Sequence, residues 1–255
     1  MTAEVQVTAQ AAELAALPVD VIFALGTLAA SAARQATTSV PIVFAAASDP
    51  VGLGLVASLA HPGGNVTGAS TSNAVLAGKR MEPLKESFPR VSRLGVLFNS
   101  QDPSNRVRTA QGTEAADALH VALVPLDLAG GESTEAVLAR GQRDGVDALI
   151  VLASPLMTPA AAPIARYAAD HRLPTIGADR GFVVAGGLMS YAASSPAQFG
   201  KAATYVDKIL RGTRPTDLPV EQPTVFEFVV DLKLARVLDF DPPQYILLQA
   251  IEIIQ

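Results

Sequence analysis

The stretch VDVIFALGT, Val19 to Thr27, decides the fold. Its apolar residues run on without the strict alternation of a strand that has one wet face. It therefore reads as a strand buried on both faces, of the kind found in parallel sheets. It ends on Gly26-Thr27 and passes directly into an Ala-rich segment, Leu28 to Ala36, with helical character. A buried strand feeding straight into a helix is the first half of a βαβ crossover.

Reading outward, the same pattern recurs. Pro41–Ala47 is a second strand, and Asp49-Pro50 opens a predicted helix ending near Leu59. His61-Pro-Gly-Gly64 marks a turn, Val66–Ala69 a short strand, and residues 74–88 a helix that Pro83 can bend. Arg93–Phe98, Val121–Leu126, Ala148–Leu152 and Thr175-Ile176 read as further strands. The helices between them run to about Leu119, over Ser133–Arg143 with Ser133 as N-cap, and over Ala160–Asp170. Gly186-Gly187 precedes a strand at Leu188–Tyr191, and Pro196–Leu210 is a helix stopped by Gly212. Val220–Val230 alternates like an extended strand, Leu232–Leu238 is a short helix, and an apolar segment follows Pro242-Pro243.

This rhythm defines an α/β protein with parallel sheets flanked by helices. Two groups of βα units separate, Val19–Phe88 and Arg93–Leu173, with a short junction at Pro89-Arg90-Val91. The composition agrees. The chain has 255 residues, 49% hydrophobic and 17% charged, enough for two lobes with substantial cores. The net charge is −5 and the Lys and Arg residues are scattered, with no basic stripe for nucleic acid. There is no cysteine, which excludes disulfides, thiolate catalysis and thiolate-bound metal. No apolar run approaches the roughly 18–20 residues of a membrane span. Met1 to Gln10 is polar and lacks the pattern of an export signal.

The chemistry-bearing residues lie at the strand-to-helix turns. Gly26-Thr27, Ser48-Asp49, Asn99, Ser154 and Tyr191 form a row of small polar and aromatic groups there. In parallel α/β sheets ligands gather beyond the carboxyl ends of the strands. Gly26-Thr27 can present helix N–H groups to an anion or simply start a helix. Asp49 can accept from a ligand or cap the turn that follows. Tyr191 can stack on a ligand ring or pack in the core. Asn99 can donate to a ligand or shape the turn at Asp102-Pro103. Gly52-Leu-Gly54-Leu-Val-Ala57 fits the loose dinucleotide pattern, but it falls inside a predicted helix with no acidic residue at ribose distance. The three histidines have no metal-ligand spacing, and no nucleophile elbow or phosphate loop is present. No catalytic residue, metal or cofactor is therefore assigned.

Several stretches together resemble the ABC-transporter substrate-binding proteins that include TrpX-like tryptophan and phenylalanine binders. They are Val19–Thr27, Val40-Pro-Ile-Val-Phe44, Asp49-Pro-Val-Gly52, and Gly54 through His61-Pro-Gly-Gly-Asn65 to Gly68. Gly186-Gly-Leu-Met-Ser-Tyr191, Tyr205–Gly212 and Asp217–Pro223 complete the set, and the similarity runs from about Ala11 to the C-terminus.

The resemblance implies a type I periplasmic-binding-protein fold: two Rossmann-like lobes joined by three crossovers, closing on a small organic solute. It implies lobe I at 1–89 plus 189–219 and lobe II at 90–188 plus 220–255. It also implies that the family's signal peptide and first βα units are missing, because Ala11–Leu17 matches a helix before a later strand. The opening lobe would then be incomplete, with an exposed strand edge. Ligand positions carried over are Gly26, Thr27, Asp49, Asn99 and Tyr191, with Thr71 beside them; Ser154 is a candidate from its place in the row of strand tips. Two positions depart from the family pattern: Ser154-Pro155 replaces Asp-Pro and Tyr191-Ala192 replaces Tyr-Gly. The implied solute is an amino acid or an aromatic or carboxylate compound, the implied partners are ABC permease subunits, and the implied location is periplasmic. A cytoplasmic sensing domain of the same fold is the alternative.

Overall fold

The computed structural model describes residues 3–71 and 73–255. Its elements begin with α1 (Ala3–Ala15), β1 (Ile22–Leu25), α2 (Gly26–Ala36), β2 (Ile42–Ala47), β3 (Val66–Ser70) and α3 (Asn73–Ser87). There follow β4 (Arg93–Phe98), α4 (Pro103–Ala118), β5 (Ala122–Asp127), α5 (Thr134–Arg143), β6 (Ala148–Val151) and α6 (Ala161–Asp170). The chain continues through β7 (Thr175–Gly177), α7 (Arg180–Val184), β8 (Met189–Ala193) and α8 (Ser195–Leu210). It closes with β9 (Phe226–Asp231), α9 (Leu232–Val237), α10 (Gln244–Gln249) and β10 (Glu252–Ile254).

These elements form two compact units. The first comprises Met1–Asn73, Gln101–Ser104 and Ala193–Val225, and the second Ala74–Ser100, Asn105–Ala192 and Phe226–Gln255. The breaks differ from those expected. α3 belongs to the second unit because its Met81 and Leu84 are buried in one core with Leu94, Val96 and Ile150. Residues 220–225 stay with the first unit, where Glu221 bridges in parallel to Ala69.

In the first unit β1, β2 and β3 form a parallel sheet in that order. Ile22, Ala24, Ile42, Phe44 and Val66 pack with Ala30 and Ala33 of α2 on one face. Val43 and Ala45 pack with Ala202, Tyr205 and Ile209 of α8 on the other. β1 departs from the expectation of two buried faces. It is the edge strand, and its Phe23 and Leu25 are 47% and 44% exposed. The helix expected at 49–59 is instead a succession of turns. Its first turn closes through Leu53 N–H to Asp49 C=O, and Gly54, at φ 68°, then turns the chain out of the helical path.

Tyr205 in this core donates its hydroxyl to the Pro219 carbonyl at 2.5 Å. Burial first, and then the nearby Glu221 carboxylate, push its pKa up to about 12. The folded protein thus holds the phenol proton more tightly than the unfolded chain, whose tyrosines ionise near pH ~10. This contribution is complete below that pH and is lost as pH rises towards about 12. Urea melts across this window should show stability falling with a slope of about one proton. A Tyr205→Phe variant should lose that slope.

The second unit holds a seven-stranded sheet in the order β10-β9-β8-β7-β6-β4-β5. Its pairs are parallel from β5 through β8, and β9 with β10. Asp231 N–H bonds Leu188 C=O while Ser194 N–H bonds Val225 C=O, so β9 runs antiparallel to β8. β4 shows why both faces are covered. Leu94, Val96 and Phe98 enter one core cluster and Leu97 the other. Gly95 lies under Leu126, Val146 and Leu149, each within 2.9 Å of where a Cβ would stand. α7 was not expected from the sequence; Asp179 caps it by accepting from Phe182 N–H at 3.1 Å.

Candidate functional site

At the strand tips of the first unit three hydroxyls from three segments meet. Thr27, one residue into α2, accepts from Ser48 N–H at 2.9 Å. Ser48 Oγ lies 3.1 Å from Thr71 Oγ1, and Thr71 N–H bonds Ala47 C=O at 3.0 Å. All three side chains are buried. α2 starts at Gly26, whose φ of 77° suits glycine, and its N-cap residue Leu25 supplies no capping side chain. The positive end of a helix dipole therefore adjoins a cluster of neutral hydroxyls.

A β-bulge builds this arrangement. The β2–β3 register shifts between Ala45 and Ala47, leaving Ala46 as the extra residue at φ 59°. An L-residue in that region costs roughly 1–2 kcal/mol. The bulge lets the chain carry Ser48 toward Thr27 and Thr71. Ala46→Gly should raise stability by about 1 kcal/mol in a urea melt, and Ala46→Val should lower it.

Asp49 is the other residue here with a left-handed backbone, at φ 42°. Its Oδ1 accepts from Gly52 N–H at 3.0 Å. A Cβ at Gly52 would stand 2.2 Å from Asp49 Oδ2, so the carboxylate covers that glycine. Of the two roles the sequence left open for Asp49, the geometry displays closing this turn. Ser48, its neighbour, joins the hydroxyl cluster.

The second unit carries its own row of tips. The Asn99 carbonyl accepts from Asn105 Nδ2 at 3.0 Å, and Asn105 is fully buried. Asp127, ending β5, accepts through Oδ1 from Ser100 N–H at 3.0 Å and Ala129 N–H at 2.9 Å, holding the loops after β4 and β5. Ser154, just past β6, accepts from Leu156 N–H at 3.3 Å. Tyr191 lies half-buried in β8. Its ring is nearly parallel to that of Phe226 at 6.1 Å and tilted against Phe228 at 6.2 Å. Its carbonyl accepts from Arg80 Nε at 2.7 Å.

Of the expected residues, the structure brings Gly26, Thr27 and Thr71 together in one unit; in the other it places Asn99 and Ser154 just past the ends of β4 and β6, and Tyr191 within β8. Sequence reasoning missed Arg80, Phe226, Phe228 and Asp127. Arg80 carried a signal: it stands between Leu76 and Leu84 at i, i+4, i+8, a cation on an otherwise apolar helical stripe. Among the described residues no group of His, Cys, Asp or Glu is placed to hold a metal ion. Among them too, no helix is long and apolar enough to cross a membrane.

Parallel sheets flanked by helices, with polar tips beyond the strands, define a type I periplasmic-binding-protein fold. The chain belongs to the ABC transporter substrate binding protein family, whose sequence pattern matches residues 2–254. It is 27% identical over 221 residues to a tyrosine-binding protein of Clostridioides difficile. That alignment covers 86% of this chain but only 63% of the relative, less than two thirds of its length. In three dimensions it is similar to an ABC domain from Streptococcus pneumonia solved with L-Trp. That match has a TM-score of 0.90 at 24% identity and covers 99% of this chain and 86% of the other. A ligand-free, open substrate-binding protein with adhesive properties from Clostridium difficile matches with a TM-score of 0.69. The identity there is 27%, over 99% of this chain and 84% of that one.

Proposed function

We propose that this chain is the extracytoplasmic solute-binding component of an ABC importer, and that its solute is an aromatic amino acid. The observation that carries the reading is the meeting of Thr27, Ser48 and Thr71 beside the uncapped N-terminus of α2. Hydroxyl and N–H donors at the positive end of a helix suit a carboxylate without a fixed counter-charge. The ring of Tyr191, backed by Phe226, suits an aromatic side chain. The relatives add support, since one is a tyrosine-binding protein and another was solved with L-Trp.

In this reading Gly26, Thr27 and Thr71 of the first unit hold the carboxylate. Asp49 shapes the loop beside them. Asn99, Ser154 and Tyr191 are the candidate solute contacts of the second unit taken by itself. Permease subunits of the membrane then receive the solute.

Titration with L-tryptophan, L-tyrosine and L-phenylalanine, followed by thermal unfolding, tests the proposal. A solute at 100 times its Kd should stabilise by about 2.7 kcal/mol. No stabilisation by any of the three would remove the aromatic amino acids. A response to none of a wider panel of amino and carboxylic acids would remove the binding role.

A further inference from the structure

Among the described residues Arg80 is the largest fully buried side chain, 1% exposed. A guanidinium is kept in such a place only if its donors are used. Its Nε donates to the Tyr191 carbonyl at 2.7 Å. That carbonyl needs a donor for a definite reason. Leu188 and Ser194 bond across to β9, so by alternation Tyr191 directs its backbone groups to the β7 side. β7 ends at Gly177, which pairs with Ser190, so β8 outruns its neighbour by the time it reaches Tyr191.

The positions of these residues along the chain give the bond its meaning. Apart from the short return of Gln101–Ser104 to the first unit, the chain enters the second unit at Ala74, leaves it after Ala192 and re-enters at Phe226. Arg80 sits on the helix that follows the first of these points. Tyr191 precedes the second by one residue. Phe226, whose ring lies parallel to that of Tyr191, is the third.

We propose that Arg80 is a positioning residue for solute binding: through the Tyr191 carbonyl it fixes the Tyr191 ring and ties the second-unit ends of the three crossovers into one rigid piece. The part played by the ring rests on the solute reading above; the tie between the crossover ends does not.

The test compares the intact protein with Arg80→Met, which keeps length and loses the donors, and with Arg80→Lys, which keeps one donor group. L-Tryptophan binding is read from the ligand's own emission, because the chain contains no Trp. Amide hydrogen exchange over residues 189–193 and 226–228 is read without any ligand. Arg80→Met is expected to bind L-tryptophan about tenfold more weakly. It should also exchange faster in those two segments, while the β4 and β6 amides keep their protection. Arg80→Lys should recover most of both.

Unchanged exchange in Arg80→Met overturns the tie, and unchanged affinity overturns the positioning role. Should Arg80→Met fail to fold, Arg80→Lys decides. Wild-type exchange with binding weakened by no more than about threefold supports the proposal, and faster exchange or a larger loss overturns it. If the wild-type protein ignores L-tryptophan, the solute reading fails, and the exchange measurement judges the tie by itself.

Discussion

Alanine at Gly68 is expected to unfold the first unit, with a loss of more than about 4 kcal/mol. Gly68 lies in the middle of β3, opposite Phe44 of β2. A Cβ there would stand 2.1 Å from the Phe44 carbonyl oxygen, 2.7 Å from its nitrogen and 2.8 Å from its carbonyl carbon. These are backbone atoms of a neighbouring strand, which no rotamer change can move aside. Relief requires the β2–β3 ladder to open, and with it the segment that carries Ser70 and Thr71. Gly64 is the control, because a Cβ there would meet nothing within 4 Å. Gly64→Ala should change stability by less than about 0.5 kcal/mol. Urea melts followed by circular dichroism decide the matter. A Gly68→Ala protein melting within about 1 kcal/mol of wild type would show that the sheet yields more easily than close packing allows.

Valine at Thr27 has the next largest expected consequence, because it strikes stability and binding together. The two side chains have nearly the same shape, so the change removes the hydroxyl and little else. Ser48 N–H then loses its acceptor in a buried place, which costs about 1–3 kcal/mol. The same hydroxyl is one of the donors assigned to the solute carboxylate. L-Tryptophan binding should therefore weaken by about tenfold or more. Thr27→Ser keeps the oxygen and should restore both. If Thr27→Val lost stability but bound solute as tightly as wild type, Thr27 would be a framework residue and the carboxylate would lie elsewhere.

Much of the fold was legible because strand and helix signals are local. Pro41–Ala47 and Arg93–Phe98 read as strands of a parallel sheet, and the residues at their centres are covered on both faces. The turn residues Gly26 and Gly212, both at positive φ, marked real ends of elements. The failures have physical causes of their own. Val19–Leu25 reads as equally buried, but whether a strand has a neighbour on each side is not written in its own residues, and β1 stands at the edge. The segment after Asp49 has helical spacing of its apolar residues, but Gly54 at φ 68° ends the helical turn as soon as it closes. α3 was grouped with the strands before it because neighbours in sequence are usually neighbours in space. Its buried stripe instead packs with strands that come later.

The candidate site was legible only in outline. Residues at strand tips could be named from the order of elements, as Gly26, Thr27 and Asn99 were, whereas Thr71 came only from the family resemblance. The local placement of Ser48 and Asp49 was not open to sequence reasoning. It depends on the bulge at Ala46, an alanine in a conformation its identity gives no reason to expect. Arg80, which sequence reasoning passed over, carried a signal as a charge on an apolar stripe, but nothing in its neighbours names its partner.

What the sequence determined by itself was therefore the α/β class, the parallel strands, the family pattern and the row of tips, all of which follow from spacing within a few residues. The tertiary structure alone decided the partners: Thr27 with Ser48 across 21 residues, Ser48 with Thr71 across 23, and Arg80 with Tyr191 across 111. The reason is physical. Periodicity is a property of one segment, whereas a buried polar group must be satisfied by whatever the folded chain brings within about 3 Å of it.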